Sequence, residues 1–304
     1  MRSRNFLFLL AIVAFTCGLL IVNAQEPDDA VRGAFLSSRP KTTNANASRR
    51  RRPPRNTNTS NANTQKSTNT NNSAAPSTAT GNKRMTQSDV INGPAKAIGL
   101  GYTLFMRDAS GRSVRVEPGH EFHSGDRVRI SLEPNVDGYL YVFHTEGNGS
   151  AEMIYPDARL DAGENWIEAH VPLEVPSSEE TDERYHWFVF DNNPATERLY
   201  IVVTREPLPG VPTGEDLVKF CATNKDKCPW RPAAEIWTRV QDTTKAEVKV
   251  VTSKTFGQTQ TEKEKVATTR GLGLDKSAPT PAVIRMNAAT NAPVLVTVLD
   301  LIHK

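Results

Sequence analysis

The sequence EPNVDGYLYVFHTEGNGSAEMIYP, from Glu133 to Pro156, contains the clearest strand, turn and strand of the chain. Side chains alternate between the two faces of an extended strand, and both faces of this one carry apolar bulk. One face has Tyr139, Tyr141 and Phe143, and the other has Leu140, Val142 and His144. Residues that tolerate positive φ lie on either side of it. The stretch therefore predicts a β-hairpin at the centre of a β-sandwich.

Further strand patterns lie on both sides of this hairpin. They include a hairpin that begins near Leu100, a strand around Val128 to Leu132, a short strand at Trp166 and Ile167, a buried segment at Trp187 to Phe190, and a strand at Leu199 to Thr204. Such spacing favours a mainly β fold, an Ig-like or related sandwich of seven or eight strands from Leu100 to Arg205. The polar stretch from Pro172 to Arg184 is predicted to be a long exposed loop.

Five short motifs in this region resemble the bacterial family of domains of unknown function numbered 4384. They are GDRV at 125–128, DGYLYV at 137–142, IYP at 154–156, FVF at 188–190 and TERL at 196–199. The likeness spans residues 99–209 and departs from the family at Asn193-Pro194-Ala195, where a glycine is expected. It implies a β-rich module of exported or multidomain bacterial proteins, and the family has no established catalytic residues to carry over.

The N-terminus has the pattern of a secretory signal. Arg2 and Arg4 precede an apolar run from Phe6 to Val22, and Val22-Asn23-Ala24 is a small-residue cleavage site. We therefore expect residues 1–24 to be removed and the protein to be exported, either periplasmic or secreted. The alternative is an uncleaved membrane anchor, and a membrane contact is expected only in that case.

Residues 25–97 are predicted to be a disordered linker rich in Asn, Thr and Ser, because they offer little apolar surface to bury. Ala30 to Ser88 contains eleven Lys or Arg and no Asp or Glu, whereas 24 basic and 31 acidic side chains follow from Asp89 onward. This segment is a plain solvated linker, or it contacts anionic envelope polymer or the acidic domain that follows. No aromatic residues interleave Arg49 to Arg52, so nucleic acid is not expected as a partner.

A smaller α+β extension is predicted for residues 210–304. Its strands, including Val294 to Ile302, are expected to pair with each other or to extend the sandwich, since a long exposed apolar edge invites aggregation. Cys221 and Cys228 are the two cysteines outside the signal segment. Export favours a disulfide between them, with two free thiols as the alternative. A zinc site is disfavoured because no histidine lies near them.

No sequence motif points clearly to catalysis. His120-Glu121-Phe122-His123 is one residue shorter than the zinc motif His-Glu-x-x-His, and it lies in a turn instead of a helix. The acids Glu179, Glu180, Asp182 and Glu183 lie in one predicted loop, where nothing fixes the distance between two carboxylates. The sequence therefore predicts no catalytic residues, no metal site and no cofactor, and we expect the protein not to be an enzyme.

Aromatic residues beside the long loop are the candidate binding surface. Trp166, Tyr185 and Trp187 could stack on sugar rings or anchor a peptide, although Trp187 could instead belong to the core. We expect a non-catalytic interaction module whose partner is an envelope protein or an anionic cell-wall polymer. A glycan-binding or cell-wall-binding module is the alternative, and a metal-dependent or hydrolytic enzyme is the least favoured class.

Overall fold

The computed structural model describes residues 27–41, 96–147, 149–178 and 182–304. The strands are β1 (Gly99–Arg107), β2 (Ser113–Val116), β3 (Glu121–Phe122), β4 (Arg127–Pro134), β5 (Gly138–Glu146), β6 (Glu152–Tyr155), β7 (Trp166–Ile167), β8 (Leu173–Val175), β9 (Phe188–Val189), β10 (Thr196–Thr204), β11 (Val248–Thr252), β12 (Val283–Asn287) and β13 (Val294–His303). The helices are α1 (Pro27–Ser37), α2 (Gly214–Thr223), α3 (Ala234–Thr243) and α4 (Glu262–Thr269).

The strands form two sheets, which confirms the predicted mainly β, sandwich-like fold. The first sheet has the order β11-β12-β1-β4-β8, with β2 also paired to β1 and β9 also paired to β4. The second has the order β3-β13-β10-β5-β6, with β7 also paired to β5. Buried side chains of both sheets, such as Leu104 and Ile130 from the first and Leu140 and Ile201 from the second, form one core.

Strand β5 is central in its sheet, as the alternating pattern predicted. It pairs with β10 on one side and with β6 on the other, so the predicted hairpin is present. Leu140 and Val142 face the core between the sheets, whereas Tyr141 and Phe143 pack under the C-terminal helices. Two cores therefore share this strand, and this explains why both of its faces are apolar.

Gly138 begins β5 where the chain crosses very close to β10. A Cβ atom at this position would lie 2.1 Å from the carbonyl oxygen of Thr204, which is far inside the contact distance. The glycine of the DGYLYV motif is therefore required by a close approach of two backbones.

The C-terminal strands belong to both sheets and do not form a separate extension. β13 lies between β3 and β10 and is paired with β10 from Thr196↔Ile302 to Thr204↔Val294. β12 lies between β11 and β1. Of the two expected alternatives, both occur in part, because β11 pairs with β12 while β12 and β13 extend the two sheets of the sandwich, and the predicted boundary at residue 209 does not divide the sheets. The apolar run of β13 needs neighbours on both edges, and β3 and β10 provide them.

The predicted start of the disordered linker at residue 25 is wrong, because α1 (Pro27–Ser37) is a helix packed on the first sheet. Val31 and Phe35, one helical turn apart, lie buried against Ile284 and Met286 of β12 and Val251 of β11. The polar composition of the whole segment hid this short apolar stripe. Residues 42–95 and the predicted signal at 1–24 lie outside the described residues. In the described ranges, no helix is long and apolar enough to cross a membrane.

Two local predictions on the first sheet were wrong. The stretch from Pro172 to Arg184 is not simply an exposed loop, because β8 lies within it and Glu174 and Val175 are buried against β4. The segment from Trp187 to Phe190 is not fully buried, because it contains the edge strand β9 and Val189 is 56% exposed. Short apolar runs do not reveal whether a strand lies in the middle or at the edge of a sheet.

The predicted disulfide is present between Cys221 and Cys228. Cys221 lies in α2, and Cys228 follows a short 3-10 turn at Lys225–Lys227. The bond therefore ties the end of α2 to the segment that leads to Trp230, whose carbonyl oxygen accepts a hydrogen bond from the Met153 N–H of β6 at 2.8 Å.

Candidate functional site

A cleft of about 320 Å³ opens between the edge of the first sheet at β9 and the strands β5, β6 and β10 of the second. We call it the edge cleft. Its floor is apolar and consists of Val128, Ile154, Phe188, Phe190, Leu199 and Leu301. Its rim is charged and consists of His144, Glu146, Glu152, Asp191 and Glu197.

Strand alternation accounts for this change from apolar floor to charged rim. Leu140, Val142, His144 and Glu146 lie on the same face of β5, because side chains two residues apart share a face. The first two are buried between the sheets, His144 is partly buried, and Glu146 is exposed. The inner face of the second sheet thus changes along β5 from buried in the core to exposed to solvent. The cleft lies at this boundary.

His144 lies between two carboxylates from neighbouring strands. Its Nε2 atom is hydrogen-bonded to Oε2 of Glu197 on β10, and its Nδ1 atom is 3.7 Å from Oε1 of Glu152 on β6. Arg231 approaches Glu152 from outside, with 3.6 Å between the guanidinium nitrogen and Oε2. His144 is therefore a hydrogen-bonded histidine on the same face of β5 as Leu140 and Val142.

Carboxylates dominate the charge of the rim. Asp191 accepts hydrogen bonds from the backbone N–H and the side-chain amide of Asn193 at 2.7 and 2.9 Å. These hydrogen bonds lower the pKa of Asp191 below its ordinary value, so this carboxylate is ionised at neutral pH. With Glu146, Glu152 and Glu197 it gives the mouth of the cleft an excess of negative charge over His144 and Arg231.

Strand β9 has an open edge along this cleft. The peptide groups of Phe190 bond to Asp126 and Gly125 on the β4 side at 3.0 and 2.8 Å. Because peptide groups alternate along a strand, those of Val189 point away from β4. In the described part of the chain β9 pairs with β4 alone, so its outer edge has no strand neighbour.

A second cavity adjoins the edge cleft and contains two of the three predicted binding residues. This cavity, of about 160 Å³, shares Ile154 and Phe188 with the edge cleft and is lined by Tyr185 and Trp187. The guanidinium carbon of Arg159 lies 5.4 Å from the centre of the Tyr185 ring. Trp166 is elsewhere, on β7, with its ring edge against Tyr139 at 5.1 Å between centroids. The structure thus brings Tyr185 and Trp187 together and separates Trp166 from them.

Trp187 also borders a third, more polar cavity of about 480 Å³. The Arg129 guanidinium covers the Trp187 ring at 4.4 Å, and its Nε atom is 3.2 Å from Oε2 of Glu174. Gln260 donates to Oε1 of Glu174 at 2.6 Å. Burial lowers the pKa of Arg129, while Glu174 opposes this shift. Trp187 is therefore half-buried and not simply part of the core.

The remaining candidate residues are spread over the surface. Phe122 of the His120 to His123 segment is buried, His120 packs edge-on against it at 4.9 Å, and His123 is 3.9 Å from Asp126. In the acidic run, Glu179 and Glu180 lie outside the described residues, and Asp182 pairs with Arg184 at 2.6 Å. Within the described ranges, no group of three His, Cys, Asp or Glu side chains is arranged to hold a metal ion.

Sequence reasoning missed the acids of the rim. Glu197 is 53 residues from His144, and nothing in the sequence states that β10 lies beside β5. A usable signal did exist in β5 itself, because His144 and Glu146 continue the face of Leu140 and Val142. Where the core-facing side chains of a strand change from apolar to charged, the strand leaves the core and reaches the solvent at the end of the sandwich.

A buried histidine, His170, holds α1 in place. Ser38 Oγ is 2.6 Å from Nε2 of His170, and Nδ1 of His170 is 2.8 Å from Oε1 of Glu133. The order serine, histidine, carboxylate is that of a hydrolase triad. However, the Ser38 hydroxyl donates to the Phe35 carbonyl at 2.7 Å, and Arg39 neutralises Glu133. We therefore interpret these four residues as a clasp between α1 and the sandwich.

Residues 121–207 match the family model described as Domain of unknown function (DUF4384), which confirms the resemblance drawn from the motifs. The match runs from β3 to just beyond β10 and includes every residue that lines the edge cleft except Leu301. No curated protein and no solved structure matches the chain.

Proposed function

We propose that this chain, which carries a domain of unknown function of the 4384 family at residues 121–207, is an exported, non-catalytic module that binds another protein of the bacterial cell envelope. The binding surface is the edge cleft. The partner contributes a segment that covers the apolar floor and lies along β9.

The observation that carries this proposal is the open apolar floor beside an open strand edge. Phe188 is partly exposed and lines the cleft, Phe190 is buried at its floor, and Val189 between them is 56% exposed. A concave, mostly apolar pocket with a few polar groups at its rim is the default candidate for a binding site. An extended segment could add to β9 through main-chain hydrogen bonds and place alternate side chains in the cleft.

Export is supported by two independent features. The N-terminal sequence has the order of charges, apolar run and cleavage site of a secretory signal. The Cys221–Cys228 bond fits an oxidising compartment, where disulfides form and persist.

Site-specific photocrosslinking in the living cell tests the proposal. A photoreactive amino acid at Val189 should give one discrete adduct with an envelope protein, and Phe188→Ala should reduce its yield by removing part of the floor. Val250 is the matched control, because it is an exposed valine, 44% accessible, on β11 at the other edge of the same sheet. Equal adducts from both positions, or none from Val189, would contradict the proposal.

A glycan-binding module is the second candidate, and the cavity beside Trp187 favours it. Trp187 lines this cavity together with the polar side chains of Arg129, Glu174 and Gln260, and an aromatic ring beside polar groups is the lining that a sugar requires. Cosedimentation with purified cell-wall glycan tests this alternative. Trp187→Ala should abolish glycan binding and Trp166→Ala should preserve it, because Trp166 lies outside the cavity. Equal sedimentation of both variants would exclude this site.

A further inference from the structure

We infer that the segment bound in the edge cleft is an extended, basic peptide of the partner protein, and that one of its Lys or Arg side chains enters the cleft. This inference rests on the proposed function and specifies the chemistry of its partner.

The cleft has the two-part lining that a long cationic side chain requires. Ile154, Phe188 and Leu199 offer apolar surface to the methylene groups of a Lys or Arg stem. Glu152 and Glu197 lie two residues from Ile154 and Leu199 on the same strands and line the same cleft. When the methylene groups of a Lys or Arg side chain lie on the apolar floor, its charged group therefore lies close to the carboxylates of Glu152 and Glu197.

The carboxylates of the rim favour a cation over a neutral or acidic group. Glu152 and Glu197 are only partly exposed, with side chains 27% and 19% accessible, so solvent screens them less than it screens fully exposed acids. His144 lies between these two carboxylates and Arg231 approaches Glu152 from outside at 3.6 Å, so the four carboxylates of the rim still outnumber the basic groups beside them. Hydrogen bonds between a cation and a carboxylate are stronger than neutral ones. Charge complementarity thus selects a basic segment.

The open edge of β9 indicates that the bound segment is extended. Phe188, Val189 and Phe190 all line the cleft, so the strand runs along its wall. A segment paired to this edge would direct every second side chain to the same side. The Lys or Arg side chain that enters the cleft therefore belongs to one of these alternate positions, and the positions between them tolerate substitution.

The chain itself contains a basic segment that is an alternative occupant of the cleft. The experiment must distinguish this segment from a peptide of the partner protein. Between residues 42 and 88 there are eight Lys or Arg and no Asp or Glu, with four of them at Arg49 to Arg52. This segment is tethered to the domain, so an affinity for the cleft would give it a high effective concentration.

Binding of synthetic peptides to the purified full protein tests the inference. A ten-residue peptide with Lys at alternate positions should bind, and the same peptide with norleucine in place of Lys should bind about tenfold more weakly, as expected for the loss of one charge-assisted contact. Glu197→Gln and Glu152→Gln should each weaken binding of the Lys peptide by a similar factor. Affinity should also fall as the salt concentration rises.

Two controls keep the result interpretable. Glu235→Gln, at an exposed position of α3 outside the cleft, should leave the affinity unchanged. Glu146→Gln removes an exposed rim carboxylate and tests the charge effect if the Glu197 variant fails to fold. Unchanged affinity for all three rim variants would overturn the inference, whereas a persistent adduct at Val189 would leave protein binding intact.

Replacing Arg49 to Arg52 and Arg55 with Gln in the full protein tests the alternative occupant. If a partner peptide is the occupant, the affinity for the Lys peptide stays the same. A severalfold increase would mean that the chain's own segment competes for the cleft, and this would overturn the assignment to a partner.

Discussion

Arg39 and Glu133 form a bidentate ion pair in the interior of the protein, with Nε to Oε1 at 2.8 Å and a second guanidinium nitrogen to Oε2 at 2.6 Å. Both side chains are almost completely buried. Arg39 follows α1 and Glu133 lies near the end of β4, so this contact joins the N-terminal helix to the first sheet. Arg39 also donates to the carbonyl oxygens of Ala278 and Pro279 at 2.9 and 3.0 Å, which connects the C-terminal part of the chain.

Removal of Arg39 should strongly destabilise the protein. Arg39→Ala leaves the buried Glu133 carboxylate with His170 as its remaining side-chain partner, and breaking a buried pair costs about 3 kcal/mol or more of unfolding free energy. Denaturant unfolding followed by circular dichroism measures this change. Lys41→Ala, at an exposed position two residues away, should have almost no effect. Equal stability of the two variants would show that the clasp does not hold the fold together.

The clasp also sets the limit for truncation of the N-terminal region. Deletion of residues 42–88 should leave the melting temperature nearly unchanged, because it keeps Ser38, Arg39, Glu133 and His170, which form the clasp. Deletion of residues 27–41 should lower it by removing Phe35, Ser38 and Arg39. A deletion from Ser37 to Gln87, which the composition alone suggests as harmless, should therefore be destabilising. Differential scanning calorimetry measures the melting temperatures of the three deletion variants. A large decrease on deletion of residues 42–88 would show that this segment also stabilises the fold.

Gly138 should not tolerate a side chain. Gly138→Ala places a Cβ atom against the Thr204 carbonyl oxygen and pushes β5 away from β10, which should cost about 1–3 kcal/mol of unfolding free energy. Gly33→Ala is the matched control, since a Cβ there meets no atom within 4 Å and lies in a helix, where alanine stabilises by up to about 1 kcal/mol. A Gly138→Ala variant as stable as the unmodified protein would refute the close approach of the two strands.

Asp182 should titrate at unusually low pH because Arg184 holds it. Side-chain and backbone hydrogen bonds from Arg184 lower the pKa of Asp182 from 3.8 to about 2. A lowered pKa in the folded state stabilises that state above pH 3.8, and this contribution is lost as the pH falls toward 2. Arg184→Gln should raise the pKa of Asp182 toward its ordinary value in a titration followed by carboxyl NMR. An unchanged pKa in this variant would assign the shift to other groups.

The sequence by itself determined the central strand and the class of the fold. Apolar side chains on both faces from Tyr139 to Phe143 favour a strand inside a sheet that packs on a core, whereas the second core, under the helices, is a finding of the structure. The motifs of the 4384 family likewise indicated where the module lies, because short-range patterns record local conformation and burial directly. The disulfide could be predicted for a similar reason, since Cys221 and Cys228 are close in sequence.

Only the tertiary structure decided which distant residues meet. Glu197 reaches His144 because β10 pairs with β5, and Arg39 reaches Glu133 because α1 packs on β11 and β12. The place of β13 between β3 and β10 was equally hidden, since strand order is set by how a whole sheet buries its apolar area. A sequence pattern of period two tells which side chains share a face, but it carries no information about the neighbour on that face. The floor and rim of the edge cleft consist of residues from different strands of the two sheets, so only the tertiary structure identifies them.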